Sequence, residues 1–150
     1  MKAWLLLTMA LLLVGCGDRQ DASPGTLDLE RLRGQWVVIN YWAEWCKPCI
    51  KEIPELNALD QRYPTVTVMG VNYDGLSGEE LLGQAQELGI EFGLLASDPA
   101  PQLGVPRPVV LPTTLILDPQ GRLTETLVGP QTLESLALVT AQVSGESRPE

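Results

Sequence analysis

Two cysteines three positions apart, Cys46 and Cys49, stand directly behind an apolar run, and no other feature constrains this chain as much. Val37-Val38-Ile39-Asn40-Tyr41 is short and rich in β-branched residues, so it reads as a buried strand. Trp42-Ala43-Glu44-Trp45-Cys46-Lys47-Pro48-Cys49 then leads into a helical pattern. With a helix starting at Cys46, both thiols lie on its first turn and share one face. Side chains at that spacing are about 5–6 Å apart, inside the Cα range that a disulfide accepts. The helix start also offers unpaired N–H groups and a partial positive charge, which favour thiolate over thiol. A pair so placed can open and close a disulfide with little backbone movement, so a redox site is expected.

The remaining composition narrows the function. The chain has 150 residues, 45% of them hydrophobic, enough for one domain with its own core. A formal net charge of −9 argues against nucleic acid as a partner. Histidine is absent, which removes Cys-His and Ser-His nucleophiles and any histidine-containing metal site. No metal site is expected. Three cysteines do not make a disulfide scaffold, and the first has a separate fate.

That cysteine closes an export signal. Lys2 supplies the charge, and Trp4 to Val14 form an apolar segment short for a bilayer span. Its end, Leu13-Val14-Gly15-Cys16, resembles the bacterial lipobox, which implies cleavage before Cys16 and acylation of that residue. The alternatives are an ordinary secretory signal with a chance cysteine, or an uncleaved anchor. Residues 1–15 are thus expected as a lipoprotein signal peptide and 16–26 as a polar, flexible tether. One acyl chain holds only marginally, so several would be needed for a lasting membrane anchor.

A folded domain is expected over 27–143 and a disordered tail over 144–150. Leu27, Leu29 and Leu32 should cap the core edge before a turn at Arg33-Gly34. Strands are predicted at 35–42, 66–72, 113–117 and 123–128, with a short extended segment at 92–96. Helices are predicted at about 46–63, bent or interrupted at Pro54, from Ser77 to Gly89, and at 131–143. The five prolines between Asp98 and Pro112 make that stretch loop or extended chain. The result is an α/β domain: a central mixed sheet with helices on both faces.

The Trp-Cys-x-x-Cys block, Leu111-Pro112-Thr113-Thr114 and the hairpin around Leu117-Asp118-Pro119-Gln120-Gly121 resemble the thioredoxin superfamily. Asn40, the Glu52-Ile53-Pro54 run and the lipid anchor make the chain similar to the TlpA/ResA-type membrane-anchored thiol-disulfide oxidoreductases. The resemblance covers about residues 27–143 and implies a thioredoxin-like fold. It implies that Cys46, the more exposed thiol, attacks a target disulfide and that Cys49 resolves the mixed disulfide. Lys47 either lowers the pKa of Cys46 or is a solvated surface lysine. Pro48 suits early helix positions. Pro112 would be the family's cis-proline, with Leu111 offering its backbone to a bound substrate chain. Trp45 would belong to the apolar docking surface and Trp42 to the packing beneath.

Two departures stand out. Asn40 occupies the place of the buried aspartate of cytoplasmic thioredoxins and cannot act as a base. Glu52, three residues beyond Cys49, matches a glutamate of the TlpA/ResA type and is the candidate proton acceptor for Cys49; the alternative is a helix-surface glutamate near Lys51. The stretch from Gly104 to Leu111 is longer than usual and either shapes partner choice or is a rigid spacer.

The leading expectation is a monomeric, periplasm-facing, lipid-anchored protein-disulfide reductase with no cofactor beyond its Cys46–Cys49 pair. Its partners would be disulfide-bearing proteins and a membrane electron donor of the DsbD/CcdA type. A dedicated cytochrome c maturation thioredoxin is the alternative, although its expected acidic motif is not recognisable. A copper-binding module similar to Sco would need a longer cysteine spacing and a histidine, and the expected peroxidase motif is missing.

Overall fold

The computed structural model describes residues 24–143. The expected signal peptide, Cys16, most of the tether and the 144–150 tail lie outside these residues. Among the described residues, no helix is long and apolar enough to cross a membrane.

Strand β1, Trp36–Trp42, is the centre of the molecule. Six of its seven residues are buried because it has a strand on each side and packing on each face. Helix α1, Lys47–Arg62, returns the chain to β2, Val66–Asn72, which lies parallel to β1. Helix α2, Gly78–Glu87, leads to a two-residue strand β3, Gly93–Leu94, parallel to β2. A short helix α3, Ala100–Leu103, precedes β4, Thr113–Leu117, antiparallel to β1. The hairpin partner β5, Leu123–Val128, and helix α4, Leu133–Val139, complete the fold. The sheet order is β3-β2-β1-β4-β5.

Alternation along β1 separates two cores. Val38 packs with Ile53, Leu56 and Leu59 of α1, Val68 of β2, Ile116 of β4 and Leu136 of α4. Val37, Ile39 and Tyr41 face the other way, covered by Leu27, Leu29, Leu32 and Leu103. Two successive crossovers in the same direction across the sheet put α1 and α2 on one face. Trp42, Leu81 and Ala85 accordingly meet beside Cys46 and Cys49. The expected mixed sheet with helices on both faces is present, α3 being the helix on the second face.

Several boundaries differ from expectation for local reasons. Helix α1 begins at Lys47, with Cys46 as its extended N-cap, and continues through Pro54 without interruption. Pro54 lies on the exposed face, where water can take the place of its missing N–H. The helix stops at Tyr63, whose extended backbone (φ −118°, ψ 95°) is outside the helical region that a following proline, here Pro64, disfavours. α3 interrupts the proline-rich loop; Pro101 falls in its first turn and Gly104 closes it at φ 67°. α4 is shorter than predicted at both ends: a capping box of Thr132 and Ser135 starts it at Leu133, and it stops at Val139, before Ala141 turns to φ 55°. Gly25, assigned to the tether, instead pairs with the chain at Leu95: its N–H donates to Leu94 O and its carbonyl accepts from Ala96 N.

Gly70 shows how tightly the sheet packs under the cysteines. A Cβ there would stand 2.9 Å from Phe92 Cε2, 2.9 Å from Trp42 Nε1 and 3.2 Å from Leu94 Cδ2. Gly70→Ala is therefore expected to lower stability by about 1–3 kcal/mol, read as a lower urea midpoint at unchanged m-value. An unchanged midpoint would contradict close packing of Trp42 against β2.

Candidate active site

The site forms where β1 ends and α1 begins. Cys46 and Cys49 are joined as a disulfide with Cα atoms 5.3 Å apart, as the spacing predicts. Cys46 caps α1: its Sγ accepts the Cys49 N–H at 3.3 Å and its carbonyl accepts the Ile50 N–H at 3.1 Å. Lys47 and Pro48 follow on the exposed side of the first turn. Cys46 is the more exposed cysteine, but only at 4% against 1% for Cys49. In the disulfide form it is packed in the cluster that holds Trp42, Ala43 and Leu81, with Leu111 against it.

The loop leading into the disulfide is pinned from outside. Tyr73 N–H donates to Trp42 O at 2.8 Å, and Trp45 Nε1 donates to Asp74 at 2.9 Å. Gln84 of α2 donates to Glu44 and accepts from Asn72. Trp45 is 62% exposed, while Trp42 is fully buried in the packing beneath the site. The Leu111–Pro112 peptide is cis. Leu111 is half-buried and packs on the cluster that holds both cysteines.

Glu52 is 1% exposed, which rules out the helix-surface alternative. It lies one turn beyond Cys49 on the buried face of α1. Its Oε1 accepts the Gln131 N–H at 3.2 Å, and its Oε2 accepts Asn40 Nδ2 at 3.4 Å. Asn40 also donates to Thr114 Oγ1 at 3.0 Å. Burial pushes the Glu52 carboxyl up from its ordinary 4.5 to about 7, against the lowering effect of Gln131, Asn40 and Thr114. A group so placed can hold or release a proton near neutral pH. Sequence reasoning noted Asn40 only as a missing base; its role as donor to Glu52 depends on Thr114 and Gln131, which no local pattern ties to it.

The chain matches the AhpC/TSA family over residues 17–126. It belongs to that family. Among its relatives, the thiol-disulfide oxidoreductase ResA of Bacillus thuringiensis is 32% identical over 120 residues, covering 77% of this chain and 68% of the relative. The thiol:disulfide interchange protein HelX of Rhodobacter capsulatus is 32% identical over 106 residues, covering 70% of this chain and 58% of HelX. Among solved structures, a secreted thiol-disulfide isomerase from Corynebacterium glutamicum superposes with a TM-score of 0.66 at 26% identity, covering 76% and 73% of the two chains. The fold is thioredoxin-like, and the protein is a thiol-disulfide oxidoreductase.

The raised pKa of Glu52 has a measurable sign in the disulfide form. The unfolded chain releases this proton near 4.5, and the folded protein keeps it until about 7. Between those values the folded state binds more protons, so this group makes stability fall as pH rises from about 4.5 to 7 and level off above. The difference across the window is on the order of 3 kcal/mol. Glu52→Gln should remove that slope in urea unfolding at pH 4.5 and pH 7.5. Equal slopes in both proteins would contradict a proton held on Glu52.

Proposed function

We propose that the protein is a disulfide reductase for extracytoplasmic proteins, held at a membrane surface by lipid on Cys16. In the reduced protein the Cys46 thiolate attacks one sulfur of a target disulfide, forming a mixed disulfide and releasing the other target sulfur as a thiolate, which takes up a proton. Cys49 gives its proton to Glu52 and attacks Cys46 Sγ, expelling the second target sulfur. Two electrons pass to the target, and Cys46–Cys49 is left as a disulfide. A membrane-embedded dithiol protein of the DsbD/CcdA type would return the electrons. Trp45, Pro48, Leu111 and cis-Pro112 receive the target chain around the sulfurs.

The observation that carries this reading is Glu52. Its carboxyl is enclosed one turn from Cys49, with a pKa of about 7 suited to proton exchange with a thiol. Direction of electron flow is supported by the resemblance, and the extracytoplasmic placement by the export signal that ends in Cys16.

Equilibration of Cys46–Cys49 with glutathione is the test of direction. A reductase predicts a potential near that of thioredoxin, about −270 mV, whereas about −120 mV would identify an oxidant. Glu52→Gln is expected to slow resolution at pH 7 by about 10²-fold and to remove the rise in rate around neutral pH. An unchanged pH–rate profile would sink the role given to Glu52. In the same assay Cys49→Ala should accumulate a mixed disulfide through Cys46.

A further inference from the structure

Arg107 lies in the long loop between α3 and cis-Pro112 and is held on three sides. Its Nε donates to Asp98 Oδ2 at 2.8 Å, its Nη2 donates to the Tyr73 carbonyl, and its guanidinium carbon stands 4.1 Å from the centre of the Tyr73 ring. Asp98 is itself fixed by Tyr41 Oη of β1 at 2.7 Å and by the Ala100 N–H at 2.9 Å. On its other side Tyr73 meets Trp45 edge-on, with centroids 6.3 Å apart and planes at 85°. A continuous line of contacts thus runs from the central strand through Asp98, Arg107 and Tyr73 to the residue beside Cys46.

The loop itself is stiff. Pro106 and Pro108 flank Arg107, fixing two φ angles and restricting residue 107 to extended conformations. Directly after them, Val109 is 87% and Val110 51% exposed. With Val128 these two valines line an open apolar groove of about 440 Å³. The next residue in the chain, Leu111, packs on the cluster that holds Cys46 and Cys49. The ion pair of Arg107 with Asp98 is partly solvated on both sides, and such pairs add little to global stability. Its planar guanidinium is suited instead to local order, since stacking and forked donation need arginine in particular.

We propose that Arg107 is a positioning residue for polypeptide substrates. It ties the Val109–Val110 rim to Trp45, so the two apolar surfaces flanking Cys46 are in place before a disulfide-bearing chain docks. The residue touches neither sulfur and selects polypeptide over small disulfides by preorganisation. This rests on the reading that the natural substrate is a polypeptide disulfide.

Mixing the pre-reduced protein with insulin, and separately with oxidised glutathione, tests it. For the wild type, the rate with insulin should saturate. Arg107→Ala should raise the half-saturating insulin concentration at least five-fold, leaving the limiting rate and the rate constant for glutathione disulfide within two-fold. Tyr73→Leu should behave like Arg107→Ala and carries the test if that variant does not fold; Tyr73→Phe, which keeps the ring, should match wild type. An unchanged half-saturation in both loss variants would overturn the proposal, as would equal losses toward insulin and glutathione. A wild type that never saturates with insulin would overturn the polypeptide reading itself, and this proposal with it.

Discussion

Helix α1 can rest on the sheet in one rotation only. Its buried face carries Cys49, Glu52, Ile53, Leu56 and Leu59, a spacing that admits no second apolar face. Ile53, Leu56 and Leu59 each contribute roughly 1.5–3 kcal/mol by leaving water. Enclosing Glu52 at neutral pH costs on the order of 3 kcal/mol, judged from its displacement to about 7. Three apolar neighbours outweigh one acid, so the carboxyl stays inside. Turning the helix to expose it would expose the core.

That constraint sets the chemistry. The same rotation buries Cys49 and leaves Cys46 at the N-cap, with Lys47 and Pro48 outward. It also aims Glu52 at the centre of the sheet, where position 40 decides what it meets. An aspartate there would bring a second carboxyl close to Glu52, and the two would share one proton. Asn40 supplies an N–H to Glu52 and to Thr114 instead. The acid can then titrate by itself near neutral pH. Two backbone N–H groups at the start of α4, those of Gln131 and Leu133, are bound by Glu52 and Glu55 of α1. One helix thus anchors another through the groups that tune the site.

Strands β1, β2, β4 and β5 were legible because each is an apolar run bounded by turn residues, and the predicted cis-proline is found at Pro112. The cysteine pair was legible because strand, thiols and helix are contiguous. Proline was the source of error. Pro54 reads as a break, yet its ring lies on the wet side of a helix whose other side is fastened by packing. Pro99 and Pro101 read as loop, although a first helical turn tolerates proline and Gly104 was a stop signal in plain view. The line from Asp98 through Arg107 and Tyr73 to Trp45 joins residues nine to 34 positions apart. Only the unusual length of the 104–111 stretch pointed toward it.

The central claim is that a carboxyl titrating near neutral pH, rather than near the ordinary glutamate value, sits one helical turn from the redox pair. Its most direct measurement is a carbon-13 NMR titration of the glutamate carboxyls in the disulfide form, with Glu52 assigned by its absence in Glu52→Gln. The account predicts a midpoint near 7, well above the ordinary glutamate value of 4.5. A midpoint near 4.5 would contradict it.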